Sequence, residues 1–413
     1  MWISCIGIFC FWCIVFCCSE HRSKVRLIPL GAAFVVQCII LYIVMKVPLV
    51  QNALLSLCKV FELLKDAARS GTSCVFGYLG GGECPFAITE YSARYVLAFE
   101  GLPVIIVISA STMLLFHFGV LQLFIRQISK FFRRVNVSGI VGFFSSLKLF
   151  MSYTDITVLM KGYVPQMSRG ELLSVFSIGL STTSAVIFCV LSTLASNLFE
   201  NCMLQILLIT LLNIMLAMLI SKVIIPESSR EYQVVEIDCR FENALEAISH
   251  GAREGGAIVM KIVMMMIAIL GIIHIINAFF GILPSLSGRV LSLEYLLSFL
   301  FAPFVWLVGV VPQDVMSVSF VVAQKFILNE VVAMHTLNNM RTDFVDISSM
   351  RLAFYMLCNF GNLSSAFLTA TLYASFNPER KEQSMELALK GLFVTLLVSF
   401  MSAAMMNIAN HLL

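Results

Sequence analysis

Gln324-Lys325-Phe326-Ile327-Leu328-Asn329-Glu330-Val331-Val332-Ala333-Met334 sets an adjacent Asn and Glu inside an apolar run that begins near Val315. A charged side chain at membrane depth costs roughly 2.5–3.5 kcal/mol on insertion scales, so it faces a cavity or a partner rather than lipid. Asn329-Glu330 therefore reads as a polar binding site within a membrane, provided the rest of the chain is a membrane protein.

Composition meets that condition. Of 413 residues, 59% are hydrophobic and 12% charged, and mean hydropathy is +0.94. Soluble domains carry about 25% charge, so the chain reads as an all-α integral membrane protein with the lipid bilayer as its partner. A formal net charge of +3 is too small to indicate a nucleic-acid partner. Five of the 13 cysteines (Cys5, Cys10, Cys13, Cys17, Cys18) lie in the first apolar run, where thiols behave as small hydrophobes. No paired Cys-x-x-Cys motifs with His at ligand spacing occur, so neither a zinc site nor another cofactor is expected. The first run, 1–18, has no basic leader or Ala-x-Ala site, and its positive charges follow it. It reads as a spanning helix and not as a signal peptide.

A span needs about 20 apolar residues. Such runs occur at 2–18, 28–48, 96–124, 171–197, 203–225, 257–282, 350–376 and 388–411, giving eight transmembrane helices. Lys and Arg collect after the first span (Arg22, Lys24, Arg26) and after the third (Arg126, Lys130, Arg133, Arg134). They collect again between the fifth and sixth (Lys222, Arg230, Arg240, Arg253) and the seventh and eighth (Arg380, Lys381). By the positive-inside rule these loops are cytoplasmic and both termini lie outside. Residues 49–68 alternate apolar and charged faces at helical spacing, as an interfacial helix does. Gly71 to Pro85, with Gly80-Gly81-Gly82, reads as a loop without a phosphate-binding context. The run 290–312 reads as broken by Pro303 and Pro312, and Asp314, Asp343 and Asp346 as exterior-loop residues.

Two further segments, 138–166 and 315–335, carry polar residues at their middles. Each precedes a span with its own polar interruption, Ser181-Thr182-Thr183-Ser184 in one case and Asn359 to Ser365 in the other. Two re-entrant hairpins of opposite orientation, each followed by a broken helix, form the core of an inverted-repeat secondary transporter. The resulting organisation is 1–48 (two scaffold spans), 49–95 (interfacial helix and external loop), 96–134 (third span) and 135–200 (first hairpin and broken helix). It continues with 201–285 (fifth and sixth spans), 286–376 (second hairpin and broken helix) and 377–413 (last span).

The motif Lys325, Asn329, Glu330, Val332, Ala333 resembles the signature of the concentrative nucleoside transporters. Phe99-Glu100-Gly101-Leu102-Pro103, the Gly251 to Gly256 stretch, Phe301-Ala302-Pro303-Phe304-Val305-Trp306 and Asn359-Phe360-Gly361-Asn362-Leu363-Ser364-Ser365 are similar to further family segments. The short form resembles the bacterial nucleoside permease branch. The resemblance implies a homotrimer in the cytoplasmic (inner) membrane that moves nucleosides by alternating access. It places ribose on Glu330, Asn362 and Ser365, with Asn329 beside them and Phe360 as an apolar wall. A carboxylate can accept from two adjacent hydroxyls, and an amide both donates and accepts. Asn362 and Ser365, three apart, are expected to share one helix face.

The first hairpin departs from the family. Its base-reading Gly-Gln-Thr/Ser-Glu tip aligns with Ser152, Tyr153, Thr154 and Asp155, and Ile187 is expected to line the same site. An Asn that ligates sodium in sodium-driven members aligns with Lys148, whereas the partner hydroxyls Thr182 and Thr183 are kept. Lys148 is expected to take the place of sodium, which favours proton coupling over sodium coupling or leaves transport uncoupled. The alternative is an uncoupled carrier or channel for a nucleoside-like solute. His117, His250, His274 and His335 share no ligand spacing, and no Ser-His-Asp or Cys-His arrangement is discernible, so the chain does not read as an enzyme.

Overall fold

The computed structural model describes residues 1–87, 96–120, 122–123, 127, 138–148, 151, 153, 156–157, 160–196, 198–199, 201–226, 241–282 and 291–412. Among these, every regular element is helical. The chain opens with α1 (Trp2–Cys17), α2 (Leu27–Lys46), α3 (Pro48–Phe76) and, after a π turn at Leu97–Gly101, α4 (Val104–His117). The first half continues with α5 (Gly139–Lys148), α6 (Arg169–Ser181), α7 (Ala185–Ala195) and α8 (Cys202–Ile224). The second half holds α9 (Ala244–Phe280), α10 (Leu293–Val308), α11 (Val315–Ile327), α12 (Glu330–Asn339), α13 (Ile347–Leu357), α14 (Leu363–Phe376) and α15 (Lys381–Leu412).

Most starts that matter for the centre carry a side-chain cap, which satisfies backbone N–H groups that the first turn leaves unpaired. At α6, Ser168 Oγ accepts from Glu171 N at 3.2 Å and Glu171 Oε2 accepts from Ser168 N at 2.9 Å, a capping box. Ser292, Asn329, Asp346 and Asn362 cap α10, α12, α13 and α14. Buried hydroxyls inside the apolar helices bond back to the carbonyl four residues earlier, as Ser145, Ser146, Ser174, Thr210 and Ser221 do at 2.6–2.8 Å.

Five described helices are long and apolar enough to cross a membrane: α2, α4 with its π turn, α8, α9, and α15 with the residues just before it. The other runs read as spans appear as shorter or interrupted helices. The 171–197 run is α6 and α7, parted at 182–184, and 350–376 is α13 and α14, parted at 358–362. At the centre stands α15, whose span window is 78% buried, packed by α6, α8, α13, α14 and α1. The α2 and α9 windows are only 11% buried. Their apolar outer faces have no partner among the described residues, which suits contact with lipid or a neighbouring subunit.

Three details differ from the sequence reading. Helix α3 runs on through Gly71 to Phe76 and ends only where Gly77 takes φ +61°, a left-handed conformation that favours glycine. Thr72 Oγ1 donates to Gly80 O at 2.8 Å and folds the glycine-rich stretch back on the helix end. Pro303 lies inside α10 without ending it. The stacked rings of Phe11, Phe304 and Phe400 (5.7–6.5 Å between centroids) clamp that helix against α1 and α15. Asp314 is 1% exposed, and not in an open loop.

An acidic residue ties the start of α11 to the residues just beyond α12, and another ties the start of α5 to α6. Asp314, just before α11, accepts from Val345 N at 2.9 Å and Asp346 N at 3.0 Å, just beyond α12. In the first half, Ser138 donates to Glu171, joining the start of α5 to the capping box of α6. Asp314→Ala should therefore destabilise the protein by about 3 kcal/mol, since charge-assisted bonds contribute about 1.5–3 kcal/mol each. Asp314→Asn, which keeps one acceptor, should lie between. Thermal unfolding in detergent checks this, and an unchanged transition for the Ala variant would contradict the clamp.

At one end of the molecule Arg169 and Lys390 each bond both Glu20 and Glu386. Glu20 N also donates to Ile224 O at 2.9 Å and Arg380 Nη1 to Met167 O at 2.8 Å. The connection after α1, the end of α8 and the starts of α6 and α15 thus meet on one side. Exposed ion pairs add little stability, about 0–1 kcal/mol, so this square acts mainly to hold those ends in register.

Candidate functional site

The break between α11 and α12, the break before α14 and the end of α5 come together beside α15. Leu328 breaks the helical path after α11, and Asn329 begins α12 with extended backbone (φ −167°, ψ 173°). Asn329 Oδ1 accepts from Val332 N at 2.9 Å. Its side chain is thus engaged as a cap. Glu330, the first residue of α12, is 3% exposed. Its Oε2 accepts no hydrogen bond among the described residues.

Glu330 lies alongside Asn362, within electrostatic reach of both Lys325 and Lys148. Asn362 is the cap of α14: its Oδ1 accepts from Ser365 N at 2.8 Å, and Ser365 Oγ accepts from Asn362 N at 2.9 Å. The two residues therefore form a capping box at the break, their side chains meeting at the start of α14. Ser365 Oγ also lies 2.9 Å from Phe360 O, and Asn362 Nδ2 donates to the same carbonyl at 3.3 Å. Helices α12 and α14 both bring their N-termini here, where exposed N–H groups and the helix dipole favour electron-rich ligand atoms. Chemically, the site offers one buried carboxylate oxygen, an amide and a hydroxyl: a set suited to a vicinal diol.

The first half reaches the same place through Lys148, the last residue of α5. It is 2% exposed, so it does not extend to a surface. Its Nζ stands 5.8 Å from the Phe360 ring centre and 5.9 Å from that of Tyr153, within cation–π range. Phe360 is half-buried and joins the two halves at this point. Tyr153 packs beside Lys148 Nζ and is 3% exposed. Its ring lies flush on α6, so close that a Cβ on Gly179 would fall 2.1 Å from Cε2. Its hydroxyl sits among those of Thr157, Thr369 and Tyr373.

Thr182 Oγ1 donates to Ile178 O at 2.6 Å, and the buried Thr183 hydroxyl has no partner among the described residues. Ile187 is buried on α7. Ser152, Thr154 and Asp155 lie outside the described residues. The structure thus brings Glu330, Asn362, Ser365, Phe360 and Lys148 together, with Tyr153 beside Lys148; the side chains of Asn329, Asn362 and Ser365 all serve as helix caps. Sequence reasoning left Asn359, Ser399 and Tyr373 without a role. Their signal is a polar group in an apolar helix or break.

Residues 205–407 match the family model described as the Na+ dependent nucleoside transporter C-terminus, and residues 6–79 match its N-terminus counterpart. The Bacillus subtilis transporter YutK is 26% identical over 405 residues, covering 95% of each chain. Rat sodium/nucleoside cotransporter 2 is 26% identical over 432 residues. That match covers 98% of this chain but 62% of the rat protein, so the chain spans under two thirds of that relative's length. Among solved structures, CNTnw in an inward-facing substrate-bound state superimposes with a TM-score of 0.85 at 21% identity, over 98% of both chains. A variant of CNTnw in an intermediate state gives 0.89 at 22% identity, over 100% of this chain and 99% of the other. The family's members are transporters, not enzymes. With both regions matched and the all-helical architecture shared, the chain belongs to the concentrative nucleoside transporter family.

Proposed function

We propose that the protein imports nucleosides across the cytoplasmic membrane by alternating access, with both termini outside. In this reading the chain has eight spans, and α11–α12 and the segment begun by α5 are re-entrant hairpins that enter from opposite sides. Substrate binds between the hairpin tips and the two helix breaks, and that unit moves against the α4–α9 pair. Such breaks are tolerated at membrane depth where they line a cavity or are buried in protein. Three copies associate, which would cover the apolar outer face of α9.

The observation that carries the reading is the buried, incompletely bonded carboxylate of Glu330 beside the Asn362–Ser365 capping box. Ribose hydroxyls donate to Glu330 and bond Asn362 and Ser365, and Phe360 lies against the sugar or base. Asn329 and Ile187 shape the surroundings, and Tyr153, Thr154 and Asp155 belong to the base side. Thr182 and Thr183 stand at the first break near Lys148. The ammonium of Lys148 replaces a sodium ion, so coupling is to protons or absent.

The test is uptake of labelled uridine, cytidine, adenosine and guanosine into cells that lack nucleoside carriers. Each is measured in sodium, in choline, and with the proton gradient collapsed. Saturable uptake that survives choline is expected. Uptake lost in choline would overturn the sodium replacement, and entry of none of the four would overturn the substrate class.

A further inference from the structure

Lys325 is a second buried lysine, on the other hairpin, and the site as described does not use it. It is 2% exposed and lies in the last turn of α11. No carboxylate lies within salt-bridge distance of its ammonium among the described residues. Instead Nζ donates to Met356 O at 3.1 Å and to Asn359 Oδ1. Met356 is in the final turn of α13, where unpaired carbonyls carry partial negative charge and attract a cation.

Asn359 distributes that contact. Its Nδ2 donates to Ser399 Oγ on α15 at 2.7 Å, and its Oδ1 also accepts from Gly361 N at 3.2 Å. One turn away on α15, Thr395 Oγ1 meets Ser181 Oγ at 3.0 Å, at the end of α6. Gly361 is pressed on Thr395, because a Cβ there would lie 2.2 Å from Cγ2. The next residue is Asn362, which opens α14.

We propose that Lys325 is a positioning residue for the substrate site: its ammonium, seated on the C-terminal end of α13, holds Asn359 and so fixes Asn362 and Ser365 opposite Glu330. The effect on transport rests on the nucleoside reading above, whereas the effect on the break does not. An apolar side chain at 325 leaves Met356 O and Asn359 Oδ1 buried with one donor fewer, and the break relaxes to find others. Arg keeps donors and charge in a larger group, so it restores part of the order.

The experiment compares the purified wild type with Lys325→Met, Lys325→Gln and Lys325→Arg, all first checked for monodispersity. Hydrogen exchange over 359–366 is read alongside the Michaelis constant for whichever labelled nucleoside the wild type carries best. In Lys325→Met, exchange over 359–366 should rise about tenfold while α8 stays unchanged, a local opening and not global unfolding. The Michaelis constant should rise about tenfold, equivalent to 1.4 kcal/mol, with the maximal rate within about threefold of wild type. Lys325→Arg should recover part of both effects. If Lys325→Met does not fold, Lys325→Gln is read in its place, with the same direction expected. Combining Lys325→Met with Asn359→Ala should cost no more than the costlier single change, because the two act as one unit. Unchanged exchange over 359–366 overturns the proposal, as does a lower maximal rate with an unaltered Michaelis constant. If the wild type carries no nucleoside, the substrate reading fails, and the exchange measurement still decides the role of Lys325.

Discussion

Glu330→Ala is expected to reduce nucleoside uptake by roughly 10²–10⁴-fold while the protein stays folded and monodisperse. Two substrate hydroxyls that donate to a carboxylate contribute about 1.5–3 kcal/mol each, and each 1.4 kcal/mol is about a factor of ten in affinity. The fold survives because α12 keeps its cap: Asn329 Oδ1 still accepts from Val332 N. The substitution also removes a buried carboxylate oxygen that has no hydrogen bond among the described residues, which offsets part of the cost of leaving the buried ammonium groups of Lys325 and Lys148 without their counter-charge. Glu330→Gln, which retains one acceptor, should fall between the two. Retention of more than about a tenth of wild-type uptake by Glu330→Ala would displace Glu330 from the site.

Lys148→Asn is expected to make uptake depend on sodium. A unit charge about 4 Å from a sodium ion repels it by about 4 kcal/mol at an effective dielectric of 20. That repulsion weakens sodium binding by about a thousandfold. Removing the ammonium lifts it, and in the proposed arrangement the Asn carbonyl supplies an oxygen ligand that joins the hydroxyl of Thr183, which has no partner among the described residues. Lys148→Met serves as the control. It removes the charge without adding a ligand, so it should gain no sodium dependence. A wild type already driven by a sodium gradient, or a Lys148→Asn variant indifferent to sodium, would refute the assignment.

The second half of the site was readable because its polar residues stand alone in apolar surroundings. Glu330 and the Asn359 to Ser365 break announce themselves by the cost of placing them there. The Asn362–Ser365 spacing was legible too, and the pair proves to be a capping box at the start of α14. Contacts between residues far apart in the chain were not legible. Asp314 meets backbone 31 and 32 residues away, and Lys325 meets Asn359 34 residues away. No local period records such pairs. The inward turn of Tyr153 depends on Gly179, whose missing side chain leaves room for the ring. The true end of α3 was hidden by Gly71, a residue that a helix tolerates at a cost of about 1 kcal/mol.

The position of α15 bears on how the chain is made. Thr395 and Ser399 connect the end of α6 to the break at Asn359, so both halves of the site lean on a helix that is synthesised after them. All the side chains that would touch substrate are synthesised before it. They enter the bilayer with two helix breaks still unsupported, their polar groups in need of temporary partners. Assembly of this core then waits for α15, and a chain halted before residue 381 would carry every proposed binding residue without the helix that Ser181 and Asn359 bond.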